Sequence, residues 1–387
     1  MSIFFNRGKT LEVSGPTNGL RIFVDGFDTG GKTPSRVDVR RGEMVYPQWI
    51  GMGLWVVQGN EKYIRFRTQK FADGFYLMVD VGQGDWLVGI SFREGVSQER
   101  FDELVKSSKR IRVINANGCR NLSSLTSVSG AAELWALSLY MTPVSDISPL
   151  ANLGELVLLN LRETKVSDVS ALAKLKKLRW LSLTNTSVSD ISTLGGLSEL
   201  RVLSLHETKV SDISALAYLK RLKDLSLYST GVSDISALSY LKELEVLNLG
   251  YTGITQISEL RYLTRLRELD LEAARVSDLS PLSRLLGLEY LSLWGTQVSD
   301  ISPLAKLRNL KELILQATKV SDVSPLANLT NLEVLDLSWT EVSDVAPLGN
   351  LRKLRELNLE NTGVSMADVE WLKKRLPNCE IRSDYYK

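Results

Sequence analysis

The residues Gly26–Thr33, GFDTGGKT, match the spacing G-x-x-x-x-G-K-[ST], in which backbone N–H groups and a lysine cradle phosphates while the hydroxyl holds magnesium. That chemistry needs a helix to begin at the Lys-Thr pair, because the free N–H groups of its first turn carry the phosphate. Here Pro34 follows Thr33, and the next residues, SRVDVRRG, alternate as a strand does. The first 95 residues leave no room for the parallel α/β sheet of such NTPases, and no strand there ends in a credible magnesium-binding Asp. Nucleotide binding through Gly26–Thr33 is therefore the lesser reading. Other chemistry is limited by elimination. His206 is the single histidine, which rules out a metal site of several imidazoles and a His-activated nucleophile elsewhere in the chain. Cys119 and Cys379 have no partner residues for catalysis. The sequence predicts no catalytic group, no cofactor and no metal site, and so not an enzyme.

The elements that would position any functional residue are set by a repeat. Asp146, Asp168, Asp190, Asp212, Asp234, Gln256, Asp278, Asp300, Asp322 and Asp344 follow one another at 22 residues without insertion or deletion. A fixed period of this size means a stacked repeat array rather than a globular domain. In the coil LKELILQATKVSDVSPLANLTN, which begins at Leu310, the apolar positions are Leu310, Leu313, Leu315, Val320, Val323, Leu326 and Leu329. The L-x-x-L-x-L start alternates with period two, so Leu313 and Leu315 face the core while Glu312, Ile314 and Gln316 face away. The segment VSPLANL then predicts about one turn of helix or 3-10 helix, with Ser324 as cap and Pro325 at its first position. One coil alone cannot bury its leucines, so its neighbours must cover them. The Asp column, and a Thr present in ten of eleven coils from Thr142 to Thr362 with Ala274 the exception, are expected to satisfy loop backbone groups between coils.

This pattern, L-x-x-L-x-L-x-x-T-x-V-S-D-[IV]-S-P-L-A-x-L over residues 134–364, resembles the 22-residue repeats of the internalin-type bacterial leucine-rich-repeat proteins. The resemblance implies a right-handed α/β solenoid with a parallel sheet on its concave side, used to bind proteins. The chain departs from that family in its Thr column, where internalins carry Asn, and in lacking a signal peptide, a cell-wall anchor and the family's N-terminal cap.

Flanking segments complete the layout. Residues 365–387 form a C-terminal cap, in which Ser365 and Asp368 suggest a capping box and Val369, Leu372 and Leu376 line one face. CEIR would add a closing strand. Residues 96–133 hold a short helix capped by Ser97 and a degenerate first coil. All nine Phe lie between Phe4 and Phe101, so a compositional border falls near residue 100. Residues 1–95 read as a small β-sandwich or barrel, from alternating segments broken by Gly-rich turns. Val24, Asp25, Gly26, Gly31, Lys32, Thr33, Pro34 and Gly42 there resemble the turns of the bacterial PEGA β-domain, and the aromatic YPQWIGMGLWVV is read as core.

Charge and targeting bound the partners. The net charge is +2, made of 16 − 13 = +3 up to residue 110 and 31 − 32 = −1 beyond it. Neither part would draw nucleic acid or anionic lipid from a distance. MSIFFNRGKTLEV lacks the apolar run of a signal peptide, and no stretch of about 18 apolar residues predicts a membrane span. The two cysteines lie at opposite ends of the array, roughly 50 Å apart at about 4.8 Å per coil, so two free thiols in a reducing compartment are expected. The predicted location is cytoplasmic, with export by a signal-independent route left open.

Strand positions that face away from the core carry no folding duty, so they are where a ligand site should be legible. They hold Tyr140, Arg162, Trp180, His206, Tyr228, Tyr251, Glu272, Tyr290, Trp294 and Trp339, an aromatic-rich set of the kind found at protein interfaces. Asp224, Glu268, Asp270, Glu272, Glu312, Asp336, Glu356 and Glu360 share that side, so a cationic patch on the partner would fit, although Arg179, Arg201, Lys223, Arg267 and Lys311 flank the same strands. The expected function is that of a monomeric, non-catalytic adaptor or recognition protein binding a partner protein on the concave face, with a secreted or surface-associated effector that binds a host protein as the alternative.

Overall fold

The computed structural model describes residues 89–108 and 111–385 in full and, before them, the backbone of a set of strands. Gly26–Thr33, the PEGA-like positions and the core assignment of the aromatic segment lie outside the described residues, as does the sandwich or barrel expected of the first 95. The chain divides into two compact units, Met1–Leu181 and Ser182–Lys387.

In the first unit, Tyr63–Phe71, Gly74–Asp80 and Trp86–Phe92 form an antiparallel series, and Leu11–Ser14 pairs with the first of them. Trp86–Phe92 then pairs in parallel with Ile111–Asn115, which pairs in parallel with Ala136–Ser138, itself parallel to Leu158–Asn160. Helix α1, Gln98–Ser107, connects the first parallel pair. Ser97 caps it by accepting from the Arg100 N–H at 3.2 Å, and its buried face is Phe101, Leu104 and Val105.

The second unit is a parallel series of three-residue strands that runs from Val202–Ser204 through Asp224–Ser226, Val246–Asn248, Glu268–Asp270, Tyr290–Ser292, Glu312–Ile314 and Val334–Asp336 to Glu356–Asn358. Each residue pairs with the one 22 positions on, for example Leu225 with Leu247 and Leu247 with Leu269. Short 3-10 turns alternate with the strands, as in the fold class expected from the repeat. Glu380–Arg382 closes the series beside Glu356–Asn358.

One coil shows why the sequence folds this way. Leu310, Leu313, Leu315, Val320, Val323, Leu326 and Leu329 are all at most 1% exposed. Each such side chain is worth about 1.5–3 kcal/mol on burial, which is the force that stacks the coils. Past Leu315 the chain must leave the sheet, and Ala317 does so in the left-handed region at φ 55°. The equivalent residue of ten coils, Met141, Glu163, Asn185, Glu207, Ser229, Tyr251, Ala273, Ala317, Trp339 and Asn361, has positive φ, and Gly295 completes the column. The strand alternation therefore stops one residue earlier than the sequence suggests: Tyr251 and Trp339 belong to a turn and not to the sheet.

Two further columns act within a coil rather than between coils. Thr318 Oγ1 donates to the Leu315 carbonyl at 2.7 Å, three residues back, and the same bond recurs from Thr142 to Thr362. Asp322 Oδ1 accepts from the Ser324 N–H at 2.8 Å, and so caps the 3-10 turn that Ser324 was expected to cap. At Asp146, Asp190, Asp212, Asp300 and Asp322 that backbone N–H favours the carboxylate and holds the pKa below the usual range. Helix α2, Met366–Arg375, covers the last coil with Val369 and Leu372. Ser365 accepts from the Asp368 N–H at 3.2 Å, but Asp368 takes the Ser365 hydroxyl rather than the backbone N–H that a reciprocal capping box requires. No helix among the described residues is long and apolar enough to cross a membrane.

Candidate functional site

The outward side of the second unit is built from three strand-derived columns and the left-handed turn column. The second column, Asn248, Asp270, Asp336 and Asn358 among others, is structural: each side-chain oxygen accepts the backbone N–H two residues on, at Gly250, Glu272, Ser338 and Glu360, over 2.8–3.1 Å. Asn248 also donates to Asp270 at 3.0 Å, and Asn358 to Asp336 at 3.2 Å. Asp270 and Asp336 thus hold the coil ends together, although the sequence counted them among acids open to a partner. Burial still pushes the Asp270 carboxyl up.

The third column and the turn column bring four of the expected residues together. His206 stacks on Tyr228 with ring centroids 4.6 Å apart and planes 8° from parallel. Tyr228 meets Tyr251 at 5.1 Å and 51°, and Tyr251 meets Trp294 at 6.1 Å and 49°. Gly250 makes this possible: a Cβ there would lie 2.9 Å from Tyr228 Cδ2, so the tyrosine ring occupies the space a side chain would take. Tyr251 and Trp294 come from coils separated by the one that carries Glu272 and Ala273. Glu272 is half-buried, and loss of water followed by the charge of Asp270 raises its pKa. The Tyr228 and Tyr251 phenols are also raised, by loss of water contact first and by the Glu272 charge next.

The remaining expected residues stand apart from this group. Tyr290 lies half-buried in register between Glu268 and Glu312, its phenol pushed up to about 12 by burial and then by Asp270. Trp339 is 61% exposed, with no ring contact among the described residues. In the first unit, the Arg162 guanidinium lies 5.4 Å from the Tyr140 ring centre and its Nε donates to Glu163 at 3.0 Å, while Trp180 is half-buried on its own strand.

The acids of the first column differ from those of the second. Asp224 is pushed up to about 6, by burial first and then by Glu268; Glu312 is raised by burial, then by Glu356 and Glu268. The flanking bases do not neutralise them as the sequence suggested. Lys223 pairs with Glu245 at 2.5 Å, Arg267 and Lys311 both pair with Glu289 at 2.5 Å, and Arg355 pairs with Glu333 at 3.6 Å, all in a separate column along the strand starts. Arg201, in the same column, has a buried Nε with no hydrogen-bond partner.

A second exposed surface escaped the sequence reading. Tyr218, Tyr240 and Tyr262 end successive 3-10 turns at 22-residue spacing and are 70%, 57% and 50% exposed, more than any of the half-buried strand-side aromatics. Lys242 Nζ lies 4.3 Å over the Tyr262 ring. The signal in the sequence is the recurring LAY, LSY and LRY, which lies outside the strand columns.

Little in this arrangement favours chemistry. Both thiols are free and pushed up to about 12, Cys119 by burial and then Glu94, Cys379 by burial and then Glu356, so neither is poised as a nucleophile. Among the described residues no group of three or more His, Cys, Asp or Glu could hold a metal ion.

Comparison with known proteins agrees with the repeat. The family profile "Leucine Rich repeats (2 copies)" matches residues 176–218, 242–284 and 286–328. The crystal structure of an internalin, inlF, from Listeria monocytogenes is 30% identical over 73% of this chain and 83% of that chain, with a TM-score of 0.68. A leucine-rich-repeat protein of Leptospira interrogans is 22% identical over 73% of this chain and 86% of that one at a TM-score of 0.61, which shows the shared fold. The plant peptide hormone receptor RGFR1, in complex with RGF2, matches at 18% identity over 70% of this chain and 51% of that chain, with a TM-score of 0.55. No curated protein sequence matches the chain. On the strength of the repeat, its buried leucine columns and the inlF match, the chain belongs to the internalin-type leucine-rich-repeat proteins.

Proposed function

We propose that this protein is a non-catalytic recognition module or adaptor that docks a partner protein on the outward side of its strands. The observation that carries the reading is the run of ring contacts His206–Tyr228–Tyr251–Trp294 on a side of the second unit that has no core to cover. Leucines already fill the interior, so the aromatic area on this side is not needed to cover a core. Rigid aromatic surface with few rotatable bonds is the material of interface hot spots. Glu272, Tyr290 and Trp339 extend the same side, and Tyr140, Arg162 and Trp180 form the corresponding candidate surface of the first unit. Family membership supports a protein-interaction role, and the receptor of the same fold that is in complex with RGF2 is consistent with it.

Affinity capture from native lysate with the full chain and with a Tyr228→Ala/Trp294→Ala variant tests this. A protein identified by mass spectrometry should be retained by the wild type and lost, by about tenfold or more, from the variant, since two hot-spot truncations of at least 1 kcal/mol each are involved. Both chains must melt at the same temperature for the comparison to hold. Equal capture by the two would remove the aromatic side as the docking surface.

A further inference from the structure

We infer that the Tyr251–Trp294 pair, with Glu272 on the coil between them, is a receptor for a cationic side chain, and that the partner presents an arginine of a basic segment there. The inference rests on the docking surface proposed above and names the chemistry of what docks.

Three observations combine. The two rings come from coils flanking that of Glu272, yet their centroids are 6.1 Å apart with planes 49° from parallel, so they form tilted walls rather than a closed stack. Tyr228 adds a third ring at 51° to Tyr251, held in place by the space above Gly250. Each aromatic face carries the negative side of its quadrupole, which attracts a guanidinium more than it does an apolar group.

Glu272 supplies a carboxylate beside Tyr251. The Asp270 oxygens are taken by the Glu272 N–H and by Asn248 of the same sheet side, whereas the Glu272 side chain meets only the Tyr251 phenol and makes no ion pair among the described residues. The Tyr251 phenol donates to the Glu272 carboxylate, which leaves a half-buried charge without a countercharge, and an incoming cation supplies one.

The wider surface is complementary to a basic segment. From the coil of Val202 to that of Glu356, the outward strand positions and the turn that follows each strand contain no Lys or Arg, while the first column alone places Glu268 and Glu312 on either side of Tyr290. The bases at the strand starts between Lys223 and Arg355 are held by Glu245, Glu289 and Glu333 and do not reach across. A planar guanidinium can stack on a ring and donate to a carboxylate at once, which an ammonium does less well.

Fluorescence anisotropy with the full chain and a labelled peptide of alternating arginine and glycine reads the inference directly, with the matching lysine, glutamate and serine peptides as comparisons. The arginine peptide should bind best, the lysine peptide more weakly and the other two not at all. Binding should weaken as salt rises and fall about tenfold in Glu272→Gln, the loss expected for one charge-assisted contact. Tyr251→Ala/Trp294→Ala should lose as much. Glu341→Gln, at an exposed turn acid outside the group, should bind as the wild type does. Thermal melts confirm folding, and Glu272→Gln, being isosteric, keeps the test valid if the aromatic double variant misfolds. The inference is overturned by equal affinity for the serine peptide, by indifference to Glu272→Gln, or by an equal loss in Glu341→Gln, which would indicate adhesion to acidic surface in general. Should partner capture still depend on Tyr228 and Trp294 while the arginine peptide fails to bind, the docking surface stands and only the cation assignment falls.

Discussion

Asp224 shows how one side chain can oppose the fold that holds it. Its carboxyl sits half-buried at the start of a strand, and burial followed by Glu268 lifts its pKa to about 6. A folded-state pKa above the unfolded value means that the native state binds this proton more tightly than the unfolded chain does. Ionisation therefore costs stability: the penalty is absent below the unfolded value near pH 4, grows between there and pH 6, and is complete above it. Asp224→Asn removes the charge at every pH. Calorimetric melts should find the variant more stable than the wild type at pH 7.5 by on the order of 3 kcal/mol, since the rise spans about two pKa units at about 1.4 kcal/mol each. The gap should close toward pH 4. A variant no more stable than the wild type at pH 7.5 would mean that water still reaches the carboxylate. The contrast with Asp322 is instructive, because an Asp there is stabilised by a backbone N–H and is lowered instead. The residue type is the same and the column decides the role.

At the scale of the element, one coil departs from its neighbours in a testable way. Ten coils place a Thr hydroxyl on the carbonyl three residues back, whereas Ala274 fills that position, 1% exposed, and only its N–H reaches the Leu271 carbonyl, at 3.0 Å. Ala274→Thr should restore the missing bond and stabilise the chain by about 0.5–1.5 kcal/mol, read as a rise in the urea midpoint with the slope unchanged. A lower midpoint would show that this coil has no room for the added atoms. The Thr and Asp columns were visible in the sequence because strict spacing exposes any position that the backbone needs. Their direction, within a coil rather than between coils, was hidden because a residue every 22 positions looks alike under both readings. The same limit explains Tyr251 and Trp339. Alternation predicts where side chains point only while the backbone stays extended, and a left-handed residue at φ 52° or 58° breaks it without a glycine to mark the place. The aromatic residues of the candidate site could be listed in advance, but not their contacts across coils, which at Tyr228 depend on the space that Gly250 leaves. Nor could the sequence say that Asp270 and Asp336 serve the backbone while Glu272 does not.

At the scale of the molecule, the repeat makes length itself a variable. From Val202–Ser204 to Glu356–Asn358 every strand pairs with the next at a register of 22, so each inner coil sees chemically equivalent neighbours on both sides. Stability in such an array is close to a sum of coil and interface contributions, and one whole coil is dispensable. Removing residues 298–319 joins Gln297 to Val320, which stands where Val298 stood, and leaves His206, Tyr228, Tyr251, Glu272 and Trp294 in place. The shortened chain should keep its circular-dichroism spectrum, melt cooperatively a few degrees lower, and still bind the arginine peptide in a Glu272-dependent way, more weakly by the share that Glu312 contributes. Removing 299–319 instead takes out 21 residues and leaves the joined coil one residue too long, because Val298 is then followed by Val320. One residue is enough to turn a strand over, exposing leucines that are fully buried and putting acids inside. That chain should aggregate or lose its cooperative melt. If the two deletions behave alike, the coils are not held by register, and the fixed spacing of the aromatic site would need another cause.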